Sequence, residues 1–158
     1  MSLRECVERL EKQGDLVRVR REVDRRFELA AVAKKLDGGP AVIFENVRGT
    51  SIPVILGTDG TKERVAQNLG LKPVQLIDRL SRAIGEPLPW TRVADGPVRA
   101  KRIEAPFDIG ALLPVPHHYE KEPAPFITGG IVVARDPDSG VLNASYNRMQ
   151  LKGGTRCG

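Results

Sequence analysis

The chain has 158 residues and a mass of 17.3 kDa, enough for one ordinary domain or two small ones, and its 41% hydrophobic and 28% charged content is that of a packed globular protein. No apolar run approaches the roughly 20 residues needed to span a bilayer, and residues 1–6 run into mixed charge without a signal-peptide core, so the sequence predicts neither a membrane span nor a secretory leader. The 25 Lys and Arg against 20 Asp and Glu give +5, but along residues 18–26 the basic residues alternate with acids and apolar side chains, and aromatics are only 4%; both facts argue against a nucleic-acid face.

Cys6 and Cys157 lie at opposite ends, too few for a disulfide scaffold or a thiolate metal site, which makes the reducing cytoplasm the default location. Cys6 falls on the apolar face of a first helix, capped by Ser2 with Glu5 completing a capping box, carrying Leu3, Cys6, Val7 and Leu10, and stopped at Gly14. Residues 15–23 alternate as a half-buried strand, with Val17 and Val19 opposite Arg18 and Arg20. Asp24 is placed to cap a second helix through Leu29, Val32, Ala33 and Leu36, ended by Asp37, Gly38 and Gly39. The continuous apolar run 40–44 suits a central strand, and residues 52–56 return as another. Thr61 caps a helix with Val65, Ala66 and Leu69 that closes at Gly70. Pro73 opens a further helix, with Val74, Ile77, Leu80 and Ile84 as its expected buried stripe.

After Gly85 the pattern changes. Pro87, Pro89 and Pro97 mark a linker over residues 86–97, and helical periodicity ends there. Residues 98–103 read as a strand, 105–125 as an irregular proline-rich segment, 127–135 as a strand, 136–140 as a turn and 141–151 as its hairpin partner. This predicts an α/β (α+β) N-terminal domain over 1–85, the linker, and the incomplete start of a β-rich domain over 98–158. Two or three strands with one apolar face rarely stand alone.

Several residues are candidates for chemistry. His117 and His118 are adjacent, so their side chains diverge; beside Glu120 and Glu122 they read mainly as structural or solvated, with a mixed carboxylate–imidazole site as the sharper alternative. The small residues Thr128, Gly129 and Gly130 within a strand signal close approach by a ligand or another strand. Along residues 143–148, strand alternation sets Asn143, Ser145 and Asn147 on one face, where a core strand would carry Val or Ile. That face is either solvent-exposed or suited to an amide-oxygen metal ligand with donors for a phosphate.

One stretch carries a resemblance. It has an aromatic followed by Ile-Thr-x-Gly (Phe126, Ile127, Thr128, Gly130), then an apolar strand and Asp-Pro-x-x-Gly (Asp136, Pro137, Gly140). Asn-x-Ser-x-x-Arg-x-Gln closes it (Asn143, Ser145, Arg148, Gln150). This resembles the UbiD family of prenylated-FMN-dependent (de)carboxylases. The opening agrees as well, from Leu10 and Glu11 through Gly14-Asp15-Leu16-Val17-Arg18-Val19 and Glu22-Val23-Asp24 to residues 38–47.

The resemblance implies that the second part begins a split β-barrel, flavin reductase-like domain. Asn143 matches a ligand of the divalent metal, usually Mn2+ with K+ beside it, that joins protein to the cofactor phosphate. Tyr146, Asn147 and Arg148 match residues lining the prenylated FMN, Thr128 is a further cofactor neighbour, and Arg148 matches the catalytic arginine. A guanidinium stays charged and can hold a substrate carboxylate with two hydrogen bonds. Two departures stand out: residues 121–125 replace an acidic residue and paired glycines, and there is no His after His118 and no Glu after Glu122, where the family's remaining metal ligands and catalytic glutamates follow.

The expectation is therefore an N-terminal portion of a carboxy-lyase acting reversibly on an aromatic or α,β-unsaturated acid, inactive as 158 residues alone and homo-oligomeric in its full-length form. One alternative is a non-catalytic accessory subunit that completes a site with a partner chain. The other is a small basic nucleic-acid binder.

Overall fold

The computed structural model describes residues 2–158. Helix α1 (Leu3–Lys12) forms where the capping box predicts it: the Glu5 backbone N–H donates to Ser2 Oγ at 3.3 Å and the Ser2 N–H to the Glu5 carboxylate at 2.6 Å. Cys6 and Leu10 are buried on its inner face, whereas Leu3 is exposed. Gly14, at φ +69°, takes the left-handed conformation that releases the chain. Strand β1 is only Leu16–Val19, shorter than the alternating run, and it joins β2 (Ala41–Phe44) and β3 (Val54–Leu56) in a sheet of order β1-β2-β3. The central place of β2 fits its continuous apolar run, with Ala41, Val42 and Phe44 buried.

The chain divides into two compact units, each built from separate segments. Unit 1 takes the segment ending at Arg18, Leu36–Ile43 and Ile55–Glu104. Cys6, Leu10 and Ala41 form its core cluster, with Leu16 packed against them. Helix α3 (Lys62–Asn68) starts at Thr61, whose hydroxyl accepts the Arg64 N–H at 3.2 Å. The Arg9 guanidinium of α1 reaches α3, donating to the Gln67 side-chain carbonyl and to Asn68 Oδ1 at 2.6 Å. Arg64 is 5% exposed: Nε and Nη2 grip both oxygens of Asp15 at 2.8 and 2.7 Å, Nη2 donates to Gly39 O at 2.6 Å and Nη1 to Gly57 O at 3.0 Å. One guanidinium thus joins the entry to β1, the entry to β2 and the exit from β3.

Two expectations fail in unit 1. A 3-10 turn (Pro73–Gln75) leads into α4 (Leu76–Gly85), but its predicted buried stripe faces solvent: Val74, Ile77, Leu80 and Ile84 are 43 to 83% exposed, and Leu76 is the buried residue. The periodicity identified the helix correctly, yet the core of unit 1 meets it only at its first residue. Residues 98–103 form no strand either. Pro97 fixes its φ and lacks an N–H, and with Gly96 before it the chain closes a 3-10 turn (Pro97–Arg99), in which the Arg99 N–H donates to Gly96 O at 3.0 Å.

Unit 2 takes Val19–Lys35, Phe44–Val54 and Ala105–Gly158. Val23, Leu29, Phe44, Val47 and Val115 are its buried apolar residues. Helix α2 (Glu28–Lys35) begins later than its sequence signal, because Phe27 sits at φ +70° and cannot be helical. Asp24 instead accepts the Arg26 N–H at 2.8 Å in a turn ahead of the helix. Farther on, Asp108 caps the short helix α5 (Ile109–Leu112) and accepts the Gly154 N–H at 2.7 Å.

The last predicted hairpin is present but interrupted on both sides. The first arm splits into β4 (Phe126–Ile127) and β5 (Ile131–Arg135), and the second into β6 (Leu142–Tyr146) and β7 (Met149–Gln150). β4 pairs antiparallel with β7 and β5 with β6, as two separate two-stranded sheets. Among the described residues these strands close no barrel. No described helix is long and apolar enough to cross a membrane.

Candidate functional site

Register decides what the β5–β6 hairpin presents. Asn143 stands opposite Ala134 and Ser145 opposite Val132, while the Asn147 N–H donates to Gly130 O at 3.1 Å. Cross-strand partners share a face, so the Asn143 and Ser145 side chains lie beside the small or β-branched Ala134 and Val132. The whole polar face is exposed. Tyr146 pairs with Ile131 on the other face and is also exposed, so the hairpin does not gather Tyr146 with Asn143.

The turn between the strands is fixed by Asp136. Its carboxylate accepts the Asp138 N–H at 2.8 Å and the Ser139 hydroxyl at 2.9 Å, and these bonds, the Asp138 backbone first, hold its pKa below the ordinary aspartate range. Beyond β6, Asn147 Nδ2 donates to Ser145 Oγ at 2.7 Å, which stiffens the step into Arg148. The Arg148 guanidinium carbon lies 5.1 Å from the centre of the Phe126 ring, a cation–π placement that holds the plane of its donors. Phe126 belongs to the sequence motif, but its role as the platform under Arg148 follows from the β4–β7 register, which local patterning does not show.

The glycine signal divides. A Cβ on Gly130 would collide with the Met149 methyl, so here the close approach is by a side chain of the neighbouring strand. A Cβ on Gly129 meets nothing, and Thr128 beside it is exposed. Both lie in the break between β4 and β5.

His117 and His118 converge on Glu122 more than adjacency suggests. The Glu122 carboxylate accepts the His118 backbone N–H at 2.8 Å, with the two imidazole nitrogens 4.0 and 3.7 Å from the same oxygen. His117 Nε2 lies 3.0 Å from the Glu122 carbonyl oxygen, and its ring packs on Phe27 with centroids 5.1 Å apart. The pair is thus tied into its own loop, while Glu120 is exposed. Among the described residues no group of three or more His, Cys, Asp and Glu is arranged to hold a metal ion.

Arg18, Arg20 and Arg21 of the basic stretch, and Arg48 beyond it, are matched with acids. Arg18 meets Glu11 at 2.8 Å, Arg20 meets Glu45 at 3.5 Å, Arg21 meets Glu28 at 2.7 Å, and Arg48 meets Glu22 and Asp24 at 2.8 and 3.0 Å. These pairs break up any continuous cationic face of the kind that tracks a phosphate backbone.

Comparison with known proteins bears on the same residues. The structure superposes on that of an evolved dimeric form of the UbiD-class enzyme HmfF from Pelotomaculum thermopropionicum, solved in complex with prFMN, with a TM-score of 0.94 and 40% identity over 99% of this chain and 37% of that one. It also matches the vanillic acid decarboxylase of Sedimentibacter hydroxybenzoicus in its open form, with a TM-score of 0.82 and 28% identity over 95% of this chain and 35% of that one. An anhydromevalonate phosphate decarboxylase from Methanosarcina mazei is 35% identical over 153 residues, 97% of this chain and 34% of that protein. The chain spans about a third of the length of the curated relatives it matches. Residues 7–84 match the model of the 3-octaprenyl-4-hydroxybenzoate carboxy-lyase N-terminal domain and residues 91–158 that of the Rift-related domain of the same enzymes. The mixed α/β chain belongs to the UbiD family of carboxy-lyases.

Proposed function

We propose that this chain forms the N-terminal part of a prenylated-FMN-dependent carboxy-lyase that reversibly decarboxylates an aromatic or α,β-unsaturated carboxylic acid. The observation that carries the reading is the β5–β6 hairpin, with its exposed polar face and ring-backed Arg148, in a chain that matches an enzyme solved with prFMN at a TM-score of 0.94. On this reading residues 1–85 are the N-terminal domain, 86–97 the linker, and 98–158 the opening strands of a split β-barrel.

The residues fit a flavin phosphate and a hard cation in part. Asn143 offers an amide oxygen, a donor type that suits Mn2+, in the open above the small side chain of Ala134. A cation of this kind takes about six oxygen donors, so the rest come from the cofactor phosphate and from residues beyond these. Potassium beside the manganese completes the proposed ion set. Tyr146, Asn147, Arg148 and Thr128 are assigned to the flavin. When bound, the prenylated flavin supplies the electron-accepting ring on which loss of carboxylate becomes accessible.

The chain's own part is orientation. Arg148 is the proposed catalytic residue: it stays charged, its plane is held by Phe126, and its parallel N–H groups pair with the substrate carboxylate. Asn147, bonded to Ser145, fixes the backbone that aims it. The exposed apolar residues Ile131 and Val133 of β5 favour completion of this sheet by further strands, from the same polypeptide, a second copy or a partner subunit. We place the protein in the cytoplasm, assign it no nucleic-acid role, and expect no turnover from the 158 residues alone.

The test is retention of prenylated FMN after desalting in the presence of Mn2+, with carbon dioxide release from an added aromatic or α,β-unsaturated acid measured in parallel. Asn143→Ala and Arg148→Ala should each lower retention relative to the unmodified chain. Equal retention by all three proteins overturns the site assignment, and carbon dioxide release above the cofactor-only background overturns the expected inactivity.

A further inference from the structure

Unit 2 contains a cavity of about 160 Å3 lined by the polar Arg25, Arg26 and His117 and the apolar Val115, Pro125 and Leu151. Arg25 is anchored at its wall. Nη1 donates to Gly110 O at 2.6 Å and points toward Leu113 O at 3.4 Å. Both contacts use one nitrogen, so the Nε–Nη2 edge has no protein acceptor among the described residues. That edge carries two parallel N–H groups, the arrangement that grips a carboxylate with two bonds.

The surroundings are held as firmly. The His117 N–H donates to Arg25 O at 3.0 Å, and the Phe27 N–H donates to His117 O at 2.9 Å. His117 Nε2 faces the Glu122 carbonyl, which only accepts, so Nε2 carries the proton. The Arg26 guanidinium lies over the Phe27 ring. Nearby carboxylates are engaged elsewhere: Asp24 with Arg48 and the Arg26 N–H, Glu28 with Arg21 and the Asp24 N–H, Glu122 with the His118 N–H. Among the described residues neither Arg25 nor Arg26 has a carboxylate partner.

We infer that this cavity binds a small monocarboxylate, its charged end on the free edge of Arg25 and its short apolar body against Val115, Pro125 and Leu151. The volume fits a branched aliphatic acid the size of isobutyrate and is too small for a nucleotide. The apolar lining favours such an acid over a fully hydrated inorganic anion. This inference rests on the geometry of unit 2 and does not depend on the decarboxylase reading.

The experiment is titration of the full chain with sodium isobutyrate at constant ionic strength, following the amide resonances of Gly110, Val115 and Leu151. Saturable shifts at these amides are expected, and Arg25→Gln should weaken binding by about tenfold or more. Because Arg25 also anchors Gly110, Leu151→Phe is the second variant: it adds bulk to the apolar lining, leaves the guanidinium in place, and should also abolish saturation. Inorganic phosphate shifting the same amides with equal or higher affinity overturns the monocarboxylate assignment. Unsaturable shifts, or unchanged binding in both variants, overturn the site.

Discussion

Replacing Arg64 with Met tests the main polar tie of unit 1. The guanidinium is 5% exposed and makes four hydrogen bonds, two to Asp15 and one each to the Gly39 and Gly57 carbonyls. Removing one member of a buried ion pair costs about 3–5 kcal/mol because the other charge is left unpaired. The Asp15 side chain, however, keeps 36% of its surface in water, so the stranded carboxylate is partly hydrated and the loss falls near 3 kcal/mol, the low end of that range. Against a domain stability of about 5–15 kcal/mol this is a large fraction. Arg64→Lys keeps the charge but cannot span three acceptors, and should cost about half as much. Arg64 also holds the Asp15 pKa below the ordinary aspartate value, chiefly through its hydrogen bonds. The folded pKa is therefore the lower one, so this contribution is present above about pH 4 and is lost as pH falls through the folded value. Urea unfolding of the two variants at neutral and acid pH measures both effects. If Arg64→Met unfolds within about 0.5 kcal/mol of the unmodified protein, or its deficit stays constant into acid, the pair does not tie these loops together.

Helix α4 gives a contrast between its two ends: Ile84→Lys should leave stability within about 0.5 kcal/mol, whereas Leu76→Ala should cost about 2–3 kcal/mol in denaturant unfolding, because Ile84 is exposed and Leu76 buried. Gly130→Ala meets the terminal methyl of the flexible Met149 side chain, which can swing aside, so it should cost less than about 1 kcal/mol, and Met149→Ala in the same protein should remove that cost in a double-mutant cycle. At Phe27, thermal melts should rank Gly above Ala by about 1 kcal/mol, since φ is +70° and both substitutions lose the same ring. Ala equal to Gly would place no strain at that residue.

Local chemistry made much of the N-terminal half legible. The Ser2–Glu5 box, Thr61 and the glycines at 14 and 70 act within one turn of where they sit, and α1 and α3 formed as their signals predict. The central strand was readable because residues 41–44 are apolar on both faces, which only a covered strand can satisfy. What failed needed knowledge of partners. Ile77 and Ile84 share a helical face, but periodicity does not say whether anything packs on it. Arg64 occupies a core position in unit 1, where charge alone predicts a surface residue; two of the residues that accept its bonds, Asp15 and Gly39, are far away in sequence. At the candidate site, alternation foresaw the shared face of Asn143, Ser145 and Asn147, whereas the stacking of Arg148 on Phe126 and the filling of Gly130 by Met149 arise from strand pairing.

The interleaving of unit 2 has a consequence for dissection of the chain. Residues 19–35 and 44–54 belong with residues 105–158, joined by the Arg25 bond to Gly110, the backbone exchange between His117 and residues 25 and 27, and the Phe27–His117 ring contact. Cleavage within residues 86–97 severs none of these. The two resulting peptides should remain associated after cutting, and separately produced ones should find each other in solution as a complementing pair. Neither is expected to be autonomous, because each lacks segments that unit 2 requires.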